Sequence, residues 1–212
     1  MSKCVIAGAG NFKEIDEKVE ERDLLIAADG GAERLIGMGL KPTVVVGDFD
    51  SSSLDIDELK KKLPDAQFKS FPAEKDFTDM YAAVNAGEQK GYWNFHIYGG
   101  TGGRTEHTIA NIQLITHLAE KGKFGYLHED DRVMTVIRNS RFELPVQSKG
   151  YVSVFSLNEV SEGVTIRGLK YEIENENLNN AFPLGVSNEF KGDRSYVSVR
   201  EGVLLIIWDK EK

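Results

Sequence analysis

The hydrophobic positions of this chain follow two rhythms. Up to about residue 125, short apolar runs alternate with stretches of helical spacing. The runs are KCVIAG (3–8), DLLIAAD (23–29), TVVVGD (43–48), QFKSFP (67–72), NFHIYGG (94–100) and KFGYLHE (123–129). Short β-rich runs separated by helical segments predict an α/β N-terminal domain with a mostly parallel sheet. Phe12, Ile15 and Val19 fall on one face of a helix, with Asn11 placed to cap it. Longer helices are predicted over Asp76–Gln89 and Arg104–Glu120.

After about Asp131 the rhythm changes. RVMTVIR (132–138), YVSVFSL (151–157), GVTIRG (163–168), RSYVSVR (194–200) and VLLIIW (203–208) alternate or run apolar between Gly, Asn and Pro. No helix of ordinary length fits between them, apart from a turn near 175–180. An all-β C-terminal sandwich domain is the expectation. The polar stretch HEDDR (128–132) is the candidate junction, dividing residues 1–127 from residues 128–212.

Composition narrows the picture. A chain of 212 residues with 41% hydrophobic and 28% charged positions is globular and needs no staples to build a core. Its one cysteine, Cys4, allows no intramolecular disulfide and reads as a small buried residue of the first strand. The N-terminus lacks a signal-peptide pattern and VLLIIW is too short to span a bilayer, so a soluble, cytoplasmic protein is expected. A net charge of −8 without a basic block argues against nucleic acid as the main partner. It leaves a nucleotide open, because acidic sites bind polyphosphates through a metal.

Ligands of parallel sheets bind outside the carboxyl ends of the strands, and every unusual polar cluster of the first half falls at such an end. AADGG (27–31), GDFDSSS (47–53), FPAEKDFTD (71–79) and YGGTGGRTEH (98–107) follow the second to fifth runs. Asp48 and Asp50, if the chain is still extended there, point the same way with backbones about 7 Å apart. Carboxylates that close repel unless a cation lies between them, and Mg²⁺, bound by one or two carboxylates plus substrate phosphates, suits the pair. A solvated turn with Asp50 capping the next helix is the ordinary alternative. Asp76 and Asp79 fall on one face of a first helical turn, as second contributors to a metal site or simply as caps; Thr78 between them is a phosphate donor or a first-turn residue. Gly100, Gly102 and Gly103, with Thr101, lead into a helix whose N-terminus presents N–H groups to anions; Arg104 adds a two-pronged fork for phosphate. His107 and Glu106 lie in the first turn that follows, and Asn111 shares a face with His107. GAGNF (8–12) is a rival, an incomplete dinucleotide fingerprint with Lys13 at the third glycine's position. In the second half, Ser187, Asn188 and Trp208 read as turn and core residues, although a tryptophan near a strand end also suits a flat aromatic ligand.

The ordered set D-G-G, G-D-F-D-S, K-D-x-T-D, G-G-x-x-G-R-x-[DE]-H and S-N-E-F resembles the thiamine pyrophosphokinase family from about Ala27 to the C-terminus. The resemblance implies a homodimer in which ATP and thiamine give thiamine diphosphate and AMP with Mg²⁺. Carried over by position, Asp48, Asp50 and Asp79 are metal-binding carboxylates with Asp76 beside them. Asp29, Gly30, Thr78, the Gly100–Gly103 loop, Arg104 and His107 serve ATP. Ser187 and Asn188 help hold the thiamine pyrimidine, and Trp208 is the stacking aromatic. One departure is Glu106, where the family usually has aspartate; the carboxylate is displaced by one methylene. Two other readings fit the same residues: a diphosphokinase acting on another alcohol, such as a hydroxymethylpterin, and a non-catalytic nucleotide- or thiamine-sensing module.

Overall fold

The structure, a computed structural model, describes residues 2–48, 56–72 and 76–211. It divides into two compact units: Met1–Leu114 with Leu127–Asp130, and Ile115–Tyr126 with Asp131–Lys212.

The first unit is built on β1 (Cys4–Ala7), β2 (Leu24–Ala28), β3 (Val44–Gly47), β4 (Gln67–Ser70) and β5 (Asn94–Tyr98). β1 pairs in parallel with β2 and β5, β2 with β3, and β3 with β4. Every residue of β1, β2 and β3 is buried, as a parallel sheet covered on both faces requires. That is why these strands read as unbroken apolar runs. The helices are α1 (Gly31–Gly37), α2 (Ile56–Lys62), α3 (Asp79–Gln89) and α4 (Thr105–Glu120), the last running from one unit into the other. β6 (Phe124–His128) does the same. The core under α1 and α2 gathers Val5, Leu25, Val45, Leu35 and Leu59.

Two expectations for this unit are corrected. Residues 9–22 contain no helix. Phe12 is buried and Ile15 and Val19 pack on the core as the spacing demanded, yet the amides bond elsewhere. Lys13 N donates to Asp130 Oδ1 (2.9 Å), Glu17 N to the Tyr98 hydroxyl (3.2 Å) and Glu20 N to Asp23 Oδ2 (2.9 Å). Side-chain acceptors took the donors a helix would have used. Asn11, the expected cap, instead accepts from Arg34 Nη2 at 2.8 Å. The second correction concerns α3: it begins at Asp79 rather than Asp76, and its cap is Thr78, whose Oγ1 accepts from Tyr81 N at 3.1 Å.

The second unit is all-β apart from the end of α4. One sheet holds β7 (Arg132–Arg138), β9 (Tyr151–Ser156), β12 (Gly185–Glu189) and β14 (Val203–Asp209), in the order β12-β9-β14-β7. The other orders β11 (Ile173–Asn179), β10 (Val160–Arg167), β13 (Tyr196–Ser198) and β8 (Arg141–Glu143). All of these pairs are antiparallel. One core takes side chains from both sheets, among them Val133, Val154, Leu204 and Trp208 from the first and Val164, Leu178 and Val197 from the second. This is the expected sandwich. The turn anticipated near 175–180 is instead part of β11, an exposed strand whose polar sequence IENENLN hid it from pattern reading.

No helix among the described residues is long and apolar enough to cross a membrane.

Candidate active site

A cleft of about 510 Å³ opens at the carboxyl ends of β1, β2 and β5 in the first unit. Its position follows from topology, because parallel neighbours end on the same edge and leave their loops there. Glycine makes the close approach possible. Gly8 N donates to Tyr98 O (2.8 Å) and Gly10 N to Gly99 O (3.1 Å), drawing the loops after β1 and β5 together. Gly99 sits at φ +67°, where a Cβ would lie 2.7 Å from Gly8 O. A larger residue there would push the two loops apart.

Of the residues singled out in the sequence, Asp29, Thr78, Asp79, Gly100, Thr101, Gly103, Arg104 and His107 line this one cleft. Asp29 stands at φ +51°, and its amide donates to Val46 O at 2.8 Å. Since Ala28 is paired with Val46, this brings Asp29 level with the end of β3, where Asp48 follows Gly47. Thr78 accepts the cap bond from Tyr81, and its own O–H is a donor for an anion. Asp79 is the first residue of α3. Buried Asn111, which also lines the cleft, holds the glycine loop, its Nδ2 donating to Gly100 O at 2.7 Å.

Arg104 stands largely exposed before α4 and donates through Nε to Glu106 Oε1 at 2.6 Å. The Glu106 carboxyl is held below its ordinary value, first by its own backbone amide and then by Arg104. The residue that departs from the family pattern is therefore a partner of the arginine. Exposed pairs of this kind are weak, so a polyphosphate can draw the guanidinium away.

Asp76 is exposed in a bend before Thr78 and, like Asp48, Gly30 and Gly102, does not line the cleft. Asp50 lies outside the described residues. Ser187 is exposed on β12 with φ +59°, and its amide donates to Ser153 Oγ at 3.1 Å. Asn188 is buried, bonding both backbone groups of Tyr171: Tyr171 N donates to its Oδ1 (2.9 Å), and its Nδ2 donates to Tyr171 O (2.6 Å). Trp208 is buried in the sandwich core, its ring 5.4 Å from that of Phe142.

Sequence reasoning set GAGNF aside as a rival motif, yet Gly8, Ala9 and Gly10 line the same cleft. The available signal was its place directly after a buried strand, shared with the other clusters.

The donors on offer for a metal here are carboxylate oxygens, and hard oxygen donors suit Mg²⁺. Among the described residues no three His, Cys, Asp or Glu side chains gather as a cage.

Two sequence profiles match the chain: the thiamin pyrophosphokinase catalytic domain over residues 15–124, and the thiamin pyrophosphokinase vitamin B1 binding domain over residues 139–204. The chain belongs to the thiamine pyrophosphokinase family. It is 28% identical over 190 residues to thiamine pyrophosphokinase of Bacillus subtilis (strain 168), covering 89% of this chain and 88% of that protein. The crystal structure of thiamine pyrophosphokinase from Bacillus subtilis superposes with a TM-score of 0.89 at 26% identity, over the whole of both chains. Thiamin pyrophosphokinase from Candida albicans superposes at 0.80 with 15% identity, over 99% of this chain and 89% of that one, a likeness of fold. The family's catalytic profile contains α1 to α4 and β2 to β5, and its vitamin B1 profile contains β8 to β13.

Proposed function

We propose that this chain transfers the diphosphate of ATP to the hydroxyl of thiamine, giving thiamine diphosphate and AMP. The observation that carries this reading is the convergence of Asp29, Asp79, Thr78, Arg104, Gly100, Thr101 and Gly103 around one cleft at the strand ends of a family catalytic domain. The thiamine hydroxyl oxygen bonds to the β-phosphorus of ATP, the bond from that phosphorus to the α,β-bridging oxygen breaks, and AMP departs with that oxygen. Asp29 and Asp79 are the cleft carboxylates available to accept the hydroxyl proton. Arg104, Thr78 and the N–H groups before α4 hold the polyphosphate and offset its charge as the bond changes hands. Asp79, with Asp48 and Asp50, is assigned to hold Mg²⁺, with Asp76 beside them. When bound there, Mg²⁺ neutralises charge on the phosphate oxygens.

Gly30 and Gly102 complete the ATP-side loops, and His107 stands in the first turn of α4. Residues 1–127 are read as the ATP- and Mg²⁺-binding domain and 128–212 as the thiamine-binding and dimerisation domain. Ser187, exposed on β12, is assigned to the thiamine pyrimidine together with Asn188, and Trp208 to the thiamine side of the site; the buried positions of Asn188 and Trp208 favour a part in fixing the strands around it. The working unit is a homodimer in the cytoplasm. The match to a vitamin B1 binding domain favours thiamine over a pterin alcohol as acceptor. AMP release measured with ATP, thiamine and Mg²⁺ together, and with each omitted in turn, is the test. AMP that needs all three is the expected result; AMP formed equally well with hydroxymethylpterin in place of thiamine, or none from folded protein, defeats the reading.

A further inference from the structure

We propose that Arg34, on α1, is a positioning residue for nucleotide binding: its guanidinium locks the Ala9–Asn11 segment into the shape that closes one wall of the cleft. The proposal rests on the reading of that cleft as the ATP site.

Ala9 and Gly10 line the cleft, yet residues 9–22 contain neither helix nor strand, so no ladder of backbone bonds fixes them. One bond, from Gly10 N to Gly99 O, ties them to the loop after β5. Arg34 supplies the rest. Its Nε donates to Ala9 O at 3.0 Å and its Nη2 to Asn11 Oδ1 at 2.8 Å, while its guanidinium carbon stands 5.7 Å from the centre of the Phe12 ring. One planar group thus touches Ala9, Asn11 and Phe12, three of four consecutive residues, and Phe12 is itself buried in the core.

The clamp is itself aimed by a rigid element. α1 begins at Gly31, where a Cβ would lie 1.9 Å from Ala7 O, so the helix start is pressed against the end of β1. Arg34 lies one turn further on and reaches back over the loop that leaves the same strand. The two acceptors need donors at fixed separation and in one plane. A guanidinium provides this and a lysine ammonium, a single point charge, does not. Arg34 does not itself line the cleft, so its influence on a bound nucleotide passes through the loop.

The test compares Arg34→Ala, Arg34→Lys, Asn11→Ala and the Arg34→Ala/Asn11→Ala pair in the full chain. Readouts are steady-state AMP formation, binding of a non-hydrolysable ATP analogue with Mg²⁺, hydrogen exchange at residues 9–12 and the unfolding midpoint. Arg34→Ala is expected to raise the KM for ATP about tenfold while kcat and the KM for thiamine stay within about twofold. Exchange at residues 9–12 accelerates and the midpoint hardly moves. Arg34→Lys retains most of the defect, and Asn11→Ala gives part of it and adds nothing in the Arg34→Ala background. An unchanged KM for ATP overturns the proposal. So do fully additive effects of the two substitutions, which would put Arg34 on the nucleotide directly, or a midpoint that falls together with both KM values. If the unmodified protein forms no AMP, the reaction assigned above fails, while analogue binding and exchange still decide the role of Arg34.

Discussion

The two units treat polar side chains in opposite ways. In the first, strands β1, β2 and β3 are buried throughout and the polar residues wait at their ends, so that Asp29, Thr78, Asp79 and Arg104 face a cleft. In the second, the two best polar and aromatic candidates are drawn inward. Asn188 serves as a surrogate strand partner for Tyr171, and Trp208 fills the space between the sheets. The difference comes from how each sheet satisfies its backbone. A parallel sheet covered by helices leaves its loops on one edge free for chemistry. A sandwich with an irregular edge strand must use side chains to mend its ladder, and β12 is such a strand, with a register shift between Gly185 and Asn188. A residue type that suits a ligand is thus a weaker sign of a site in the second unit than in the first.

Four substitutions or conditions would break or sharpen this contrast. The largest effect is expected from Trp208→Ala, which empties a core position and should cost about 4 kcal/mol of unfolding free energy. A loss of thiamine binding with unaltered denaturant unfolding would instead place the indole on the ligand. Asp79→Asn should lower the rate of AMP formation at least about 100-fold, roughly 3 kcal/mol of barrier, with stability unchanged or improved. A near-normal rate removes Asp79 from the chemistry. Asn188→Ala leaves the amide and carbonyl of Tyr171 without their partners and should cost about 2 kcal/mol in equilibrium unfolding. An effect confined to the KM for thiamine would show that its role is recognition rather than repair.

The smallest effect concerns pH. His96 Nδ1 and His128 Nε2 lie 2.9 Å apart and the rings stack; Tyr98 stacks on His128 and donates its hydroxyl to Asp16 at 2.6 Å. Burial pushes the His96 imidazole below its ordinary value; Lys3 acts in the same sense, and Glu17, Asp16 and Asp23 oppose it. Because the folded value is the lower one, the unfolded chain binds the proton more readily. The contribution of neutral His96 to stability is therefore complete above about pH 6.5 and is lost as pH falls toward the folded value. Unfolding free energy should therefore fall as pH drops below 6.5, and His96→Gln should flatten that slope. An identical slope in the variant places the titration elsewhere.

Legibility in the sequence tracked how locally each feature is encoded. β1, β2 and β3 were visible because complete burial writes an unbroken apolar run, and β14, buried over most of its length, because its run is nearly so. β11 and β12 were not, because exposed strands with polar sequence carry no such mark. The helix expected from Phe12, Ile15 and Val19 shows that spacing reports burial rather than conformation. All three pack as their period demanded, but distant acceptors on Asp130 and Tyr98 claimed the amides. In the same way α1 was missed in DGGAERLIGMG, since a seven-residue helix rich in glycine makes almost no periodic signal.

By itself the sequence determined the fold class, the family and most of the cleft: its aspartates, threonine and glycines are carried at strand ends, and strand ends are marked by local pattern. Tertiary structure alone decided that GAG after β1 belongs to the same cleft as the glycines after β5, that Arg34 clamps the loop between them, and that Asn188 and Trp208 face inward. Those outcomes depend on which donors and acceptors far apart in the chain come within about 3 Å, a property of the folded backbone that no single stretch of sequence contains.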